Sequence, residues 1–177
     1  LRGRRVAVGP AGSGSALTAQ LVLRALGIDA DVRVESLRYN DAARRLVSGT
    51  VDALFVTGTD PVDAVRTSTE GGARLLPLSG VAIDKLRHDY PFFRRTVVPG
   101  GTYPGHPNAV HTIGVDNLLV CRRGLDESTA HDLTRAFFLA LPTLPMPEGT
   151  DLEQAPATPI PLHDGAARYY RERELAR

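Results

Sequence analysis

A segment rich in glycine and serine, residues 9–15, has the residue types best suited to hold a ligand. It follows an apolar run at residues 6–8 and precedes a helical pattern that opens near Ala16. The first N–H groups of a helix have no intrahelical partner, and the helix dipole adds about half a positive charge there. The segment therefore predicts a site for a small anion, a carboxylate or a phosphate. The alternative is a turn that only joins a strand to a helix.

Three known motifs come close to residues 9–15, and each fails at a required position. A P-loop needs lysine where Ser15 stands, so no residue is left to reach a terminal phosphate. A dinucleotide fingerprint would need Gly or Ala where Leu17 stands. The nucleophile elbow needs glycine where Ala11 and Ser13 occur. The segment therefore indicates anion binding and not nucleotide hydrolysis.

Length and composition limit the class of protein. The 177 residues are enough for one large domain with a substantial core. A formal net charge of +1 argues against nucleic acid as a partner, because phosphate backbones select strongly basic surfaces. The longest apolar stretches fall well short of the roughly 20 residues that a membrane helix requires. Cys121 is the only cysteine, which excludes an intrachain disulfide and a cysteine metal cluster.

Strands and helices alternate along the first ninety residues, which predicts a parallel, three-layer α/β sheet. Strands are predicted at residues 4–8, 32–37, 51–56 and 74–78. Helices are predicted at residues 15–26, 40–47, 61–70 and 80–90. Asn40-Asp41 is the predicted cap of the second helix, and Asp60 that of the third, with Pro61 as its first residue.

The rest of the chain has a different pattern. Residues 97–112 are rich in glycine and proline and predict a long loop. A long strand at residues 112–121 and an amphipathic helix at 125–141 follow. Residues 142–162 are proline-rich and irregular, and a last helix is predicted at residues 164–174.

Seven segments, in order and spanning nearly the whole chain, carry a family resemblance. They are LRGRRVAVGPAGSGS (1–15), LRYNDAARRLVSGTVDAL (37–54), LLPLS (75–79), YPFF (90–93), PGGTYPG (99–105), TIGVDNLLVCRRGL (112–125) and PIPLHDGAARYY (159–170). With these segments the sequence resembles the TAXI family, the solute-binding receptors associated with TRAP transporters. It departs from the family at the proline-rich residues 142–158, where a longer helical segment is usual, and at His106, where glutamine is frequent.

The resemblance implies a type II periplasmic-binding-protein fold, in which two α/β lobes close on a solute. Residues 1–111 would form the second lobe. Residues 112–177 would form the return crossing strand and the C-terminal part of the first lobe, whose N-terminal part is expected to lie outside this sequence. The 177 residues alone are therefore expected to bind solute weakly, and to self-associate through the apolar stripe of the helix at 125–141.

The residue pattern and the resemblance indicate the same binding site. Ligands of open α/β sheets bind beyond the carboxyl ends of the strands, where three of the predicted loops meet. There a solute carboxylate would lie against Gly12, Ser13, Gly14 and Ser15. Further ligand contacts are predicted from Tyr39, Thr57, Gly58, Thr59 and Tyr103. As alternatives, Tyr103 is a core aromatic that holds its own loop, and the two threonines belong to an ordinary turn.

Catalysis receives little support from the sequence. None of the five histidines has the spacing of a metal site; they are His88, His106, His111, His131 and His163. Asp60 and Asp63 allow a paired-acid interpretation, but the preference of helix N-termini for acidic residues explains them more simply. No enzyme activity, cofactor or metal is expected.

The expected function is that of an extracytoplasmic receptor. It would deliver a small organic anion, such as an amino acid or a dicarboxylate, to the membrane subunits of a TRAP transporter. The alternative is a ligand-sensing domain of a signalling or regulatory protein. The sequence does not distinguish an amino acid from a dicarboxylate or a keto acid.

Overall fold

The computed structural model of the protein describes residues 1–144 and 152–175. They divide into two units, Leu1–Asp116 and Asn117–Arg177. The assignment of residues 1–111 and 112–177 to two lobes of a receptor stays a prediction.

The first unit contains a parallel sheet of three short strands. These are β1 (Arg5–Ala7), β2 (Arg33–Glu35) and β3 (Ala53–Leu54), in the order β2-β1-β3. Helices α1 (Gly14–Ala25) and α2 (Tyr39–Val47) connect them, and a 3-10 turn at Asp29–Asp31 precedes β2. Two further helices, α3 (Asp63–Glu70) and α4 (Val81–Asp89), follow β3.

Both faces of the sheet are covered, because β1 alternates its side chains between two clusters. Val6 and Val8 pack with Ala19 of α1. Ala7 packs with Ala42 of α2 and with Val51. The sheet therefore lies between helices, and the predicted α/β fold with a mainly parallel sheet is confirmed.

An ion pair between Arg5 and Asp52 lies at the edge of the sheet where the parallel strands begin, here called the amino edge. We call this ion pair the amino-edge clasp. Arg5 Nε donates to Asp52 Oδ2 at 3.0 Å, and Nη2 donates to Oδ1 at 3.2 Å. The backbone N–H of Arg5 also donates to Oδ2, at 2.8 Å. These hydrogen bonds lower the pKa of Asp52 to about 2, and the clasp joins the first residue of β1 to the residue before β3.

An antiparallel pair of strands, β4 (Arg94–Val98) and β5 (Val110–Gly114), completes the first unit. The predicted loop at 97–112 is therefore shorter, and residues 99–109 connect the two strands as a hairpin loop. Two pairs of β-branched residues face each other across the strands, Thr96 opposite Thr112 and Val98 opposite Val110.

One predicted strand is wrong and another is too long. Residues 74–78 have irregular backbone, with one bond from the Leu78 N–H to the His111 carbonyl at 3.0 Å. Pro77 has no N–H to give to a ladder, which works against a strand there. The predicted strand at 112–121 ends with β5 at Gly114. Asp116 and Asn117 disfavour a strand, and in the apolar residues 118–121 that follow, Leu119 is 83% exposed, whereas strand formation depends on a packing partner.

Two predicted helix starts are also corrected. The third helix begins at Asp63 with Val62 as its cap residue, and not at Pro61. The carboxylate of Asp60, the predicted cap, accepts a hydrogen bond from Tyr103 instead. The second helix begins at Tyr39, earlier than the predicted cap Asn40-Asp41.

The second unit contains two helices that pack together, α5 (Glu127–Ala140) and α6 (Asp164–Leu175). Asp126 caps α5 by accepting from the Thr129 N–H at 3.0 Å. Short 3-10 turns lie at Leu141–Thr143 and Leu152–Gln154. Residues 145–151 of the predicted proline-rich segment lie outside the described residues.

A buried histidine joins the two helices of the second unit. The imidazole of His131 on α5 has Glu172 of α6 at 2.8 Å from Nε2 and Asp132 at 3.1 Å from Nδ1. Both partners are carboxylates, so both ring nitrogens donate when the ring is protonated. The hydrogen bond to Glu172 is the main reason that the pKa of His131 is raised.

Candidate functional site

The turn between β1 and α1 depends on glycine. Gly9 has φ +95° and Gly12 has φ +74°, in the region that side chains disfavour. A Cβ on Gly9 would lie 2.9 Å from Ser15 Cβ, so the turn folds closely over this residue. A Cβ on Gly12 would meet nothing within 4 Å, so Gly12 faces open space.

The first turn of α1 is capped by Ser13. Its Oγ accepts from the Ala16 N–H at 3.2 Å, so this hydroxyl belongs to the helix cap. Gly14 and Ser15 are the first residues of α1, and N–H groups at those positions precede any intrahelical partner. The helix dipole adds positive potential at this point. The geometry suits a small anion in front of Gly14 and Ser15.

Three hydroxyl residues from different parts of the chain meet beside this turn, and we call Ser15, Tyr39 and Thr57 the hydroxyl cluster. Ser15 Oγ lies 2.6 Å from Tyr39 Oη and donates to Thr57 Oγ1 at 2.9 Å. The Thr57 carbonyl lies 3.2 Å from Tyr39 Oη and is an alternative acceptor for its single hydrogen. Ser15 is only 3% exposed, whereas Thr57 is exposed, so the cluster reaches from the interior to the surface.

The order of the strands explains why these residues meet. From β1 the chain passes to β2 on one side, and β3 then pairs with β1 on the other. The loops that follow the three parallel strands leave from the same edge, here called the carboxyl edge. In open α/β sheets the reversal of strand order leaves a crevice at this edge, and ligands bind there. The sequence order thus brings Ser15, Tyr39 and Thr57 together although they lie far apart in the chain.

The remaining predicted residues lie in two places. Gly58 and Thr59 are exposed and continue the turn that begins at Thr57. Tyr103 lies on the hairpin loop and is 2% exposed. Its Oη donates to Asp60 Oδ1 at 2.6 Å and accepts from the Val62 N–H at 2.8 Å. Burial, together with the Asp60 carboxylate, raises the pKa of Tyr103 to about 12. These contacts favour the alternative in which Tyr103 holds its loop in place.

The sequence did not predict that Asp60 contacts Tyr103. Its position before Pro61 gave it the appearance of a helix cap, and nothing in the local sequence connects it with Tyr103. The hairpin loop has a second anchor at His106, whose Nε2 accepts from the Leu75 N–H at 2.9 Å. Nδ1 of the same ring lies 2.9 Å from the Pro104 carbonyl, which identifies Nδ1 as the protonated nitrogen.

The cluster can bind and orient a ligand. Its three side chains are neutral hydroxyls that serve as donors or acceptors. Within residues 1–144 and 152–175, no group of three or more His, Cys, Asp or Glu side chains is placed to hold a metal ion. The arrangement supplies hydrogen bonds and a helix N-terminus, which are the requirements of anion binding.

One family model, described as the NMT1-like family, matches residues 1–173. The chain belongs to the NMT1-like family. This is a family of periplasmic-binding-protein-like proteins, so the coarser part of the predicted identity, a solute-binding protein that takes a small-molecule ligand, is confirmed. The position of the hydroxyl cluster at the carboxyl edge of a parallel sheet suits that class of protein.

Proposed function

We propose that this NMT1-like chain is part of an extracytoplasmic receptor of the TAXI type. It binds a small organic anion, such as an amino acid or a dicarboxylate, and delivers it to the membrane subunits of a TRAP transporter. The observation that carries the proposal is the hydroxyl cluster, which lies beside the open first turn of α1. The seven TAXI-like segments of the sequence support the finer assignment within the family.

The proposed site recognises a carboxylate through donors that are already in position. The N–H groups of Gly14 and Ser15 point out of the helix end, and the helix dipole favours negative charge there. Ser15 Oγ holds Tyr39 and Thr57 in place, so the oxygen of the exposed Thr57 hydroxyl does not have to be positioned when the ligand arrives. A hydrogen bond to a charged partner contributes about 1–3 kcal/mol.

We also propose that the protein binds its ligand without chemical change. Three histidines have structural partners, which supports this view. His106 bonds the Leu75 N–H, His131 bonds Glu172, and His163 lies 3.1 Å from the Leu125 carbonyl. Side chains committed in this way do not provide a general base beside the hydroxyl cluster.

The extracytoplasmic location follows from the proposed role, since proteins of this class work outside the cytoplasmic membrane. Among the described residues, no helix has both the length and the apolar character needed to cross a bilayer.

The experiment that tests the binding site is a titration of the ¹⁵N-labelled 177-residue chain, followed by NMR. The probes are succinate, pyruvate and L-alanine, and neutral succinamide is the control. We expect each carboxylate to shift the amide signals of residues 12–16 and 57–59 at about millimolar concentration, the weak range that a few exposed hydrogen bonds supply. Shifts confined to another surface, or equal shifts with succinamide, would contradict the proposal.

The transport role has its own test. Proteoliposomes that hold TRAP membrane subunits should take up the bound anion only when the full-length receptor is added. Uptake that does not depend on the receptor would contradict the role in transport, but it would not contradict the proposed binding site.

A further inference from the structure

We propose that Tyr103 and Asp60 form a positioning pair that controls the charge beside the carboxylate site and thereby its preference among anions. This inference rests on the proposed function. It assigns to Tyr103 a role through Asp60 in place of direct contact with the ligand.

The first observation is that the hairpin loop which carries Tyr103 is tied to itself. The Gly101 N–H donates to the His106 carbonyl at 2.8 Å, and Thr102 Oγ1 donates to the Pro99 carbonyl at 2.8 Å. His106 in turn accepts from the Leu75 N–H at 2.9 Å. A loop with bonds of this kind at both ends presents Tyr103 from a fixed position.

The second observation is that Tyr103 contacts the turn after β3 at two points. Its buried phenol donates to the Asp60 carboxylate at 2.6 Å and accepts from the Val62 N–H at 2.8 Å. The near end of the same turn is Thr57, a member of the hydroxyl cluster. One turn is therefore held at both ends, by the cluster at Thr57 and by Tyr103 at Asp60 and Val62.

The third step concerns charge. Asp60 lies three residues after Thr57, on the turn that supplies the third loop of the proposed site. A free carboxylate there would repel an incoming anion, and the repulsion would grow with the charge of the anion. Tyr103 holds one oxygen of Asp60 with a short hydrogen bond to a charged acceptor, which fixes the carboxylate and spreads its charge.

The experiment compares Tyr103→Phe, Asp60→Asn and the double variant with the unchanged chain, and uses succinate, pyruvate and L-alanine as probes. Tyr103→Phe should weaken succinate binding about three- to tenfold, because it releases the carboxylate in a medium of intermediate dielectric. The double variant should bind succinate at least as tightly as the unchanged chain, because it removes the charge that Tyr103→Phe releases. The loss in Tyr103→Phe should also shrink at high ionic strength.

Tyr90→Phe is the matched control, since it removes the hydroxyl of a tyrosine that packs against Phe92 and Phe93. It should leave the three affinities unchanged. A double variant as weak as Tyr103→Phe would show that Tyr103 only supports the fold, and would overturn the proposal. Affinity for succinate that Tyr103→Phe does not alter would overturn it as well.

Asp60→Asn alone keeps the proposal testable if Tyr103→Phe fails to fold. The gain in affinity should be largest for succinate with two charges, smaller for pyruvate with one, and absent for zwitterionic L-alanine. An equal effect on all three probes would contradict the proposal. Failure of the proposed function has a different signature, because the unchanged chain would then show no carboxylate shifts at residues 12–16.

Discussion

At the amino edge of the parallel sheet, Arg5 and Asp52 join β1 to β3 through opposite charges. At the carboxyl edge the same two strands are followed by Ser15 and Thr57, which are joined through neutral hydroxyls. The charges of Arg5 and Asp52 pair with each other through two side-chain hydrogen bonds, and hydrogen bonds between charged groups are strong. The hydroxyl cluster brings no carboxylate of its own to the helix end, so an anion approaching Ser15 meets donors there.

The comparison indicates a division of work between the two edges. Loss of the clasp should cost stability and leave ligand binding alone, whereas changes at the carboxyl edge should cost binding first. The predictions below test this division in order of decreasing effect.

The largest effect is expected for Gly14→Val at the carboxyl edge. A Cβ on Gly14 would meet nothing within 4 Å, so the protein itself accommodates the change. The valine would instead fill the space in front of the first turn of α1, and carboxylate binding should be lost. The NMR titration with succinate measures this loss.

Gly124→Val is the matched control for Gly14→Val, because a Cβ on Gly124 also meets nothing within 4 Å. It should bind as the unchanged chain does. Unchanged binding by Gly14→Val would show that the binding site does not lie at the helix end.

A smaller effect is expected for Ser15→Ala, which removes the central hydroxyl of the cluster. Tyr39 and Thr57 each lose a partner, so the Thr57 hydroxyl is no longer held in position to donate to the ligand. Affinity should fall by about 1–3 kcal/mol, the contribution of a hydrogen bond to a charged group. Thr18→Ala, on the next turn of α1, is the control, and equal losses in both variants would argue against the cluster.

The amino edge is tested by Asp52→Asn, which should lower stability and leave anion affinity unchanged. Because the pKa of Asp52 falls from 3.8 to about 2 on folding, its contribution is present above 3.8 and is lost as the pH falls toward 2. Asp52→Asn should flatten that part of the curve of unfolding free energy against pH. Asp41→Asn, at another ion pair in the same unit, is the control, and an equal flattening there would contradict the prediction.

The smallest effect is expected at the contact between His131 and Glu172 in the second unit. There the dependence of stability on pH has the opposite sign to that of Asp52. The raised pKa of His131 means that its contribution is full below the ordinary value of 6.5 and is lost as the pH rises through the raised value. The free energy of local opening of α5 and α6, obtained from amide exchange after correction for the intrinsic pH dependence of exchange, should therefore fall at higher pH. His131→Gln should remove this dependence and exposed His88→Gln should keep it; a dependence that survives in His131→Gln would assign it to another group.

Local patterns were sufficient to predict much of the fold. The turn at residues 9–15 and the helices around it follow from glycine, serine and apolar spacing, which act within one segment. The prediction of a strand at residues 74–78 was wrong because it was based on the apolar residues and gave too little weight to Pro77, which has no N–H to donate to a neighbouring strand. The strand at 112–121 was too long because strand propensity is realised only where a partner packs.

The candidate site was predictable where topology alone brings residues together. Ser15, Tyr39 and Thr57 follow three parallel strands, so any parallel arrangement of those strands places them at one edge. The contact between Tyr103 and Asp60 was not predictable, because 43 residues separate them in the chain. Tyr103 lies on a hairpin loop, and the sequence of that loop shows only that it is rich in proline and glycine.

The hydrogens of the cluster have freedom that the heavy atoms lack. Between Ser15 Oγ and Tyr39 Oη either oxygen can be the donor, and Tyr39 Oη has a second acceptor in the Thr57 carbonyl. Rotation about two C–O bonds therefore reverses the polarity of this wall while every oxygen stays in place. Thr57 Oγ1, at the exposed end of the cluster, can turn its hydrogen toward a carboxylate or a lone pair toward an ammonium group. One arrangement of oxygen atoms therefore fits the proposed binding of solutes of different chemistry without a change in the loops.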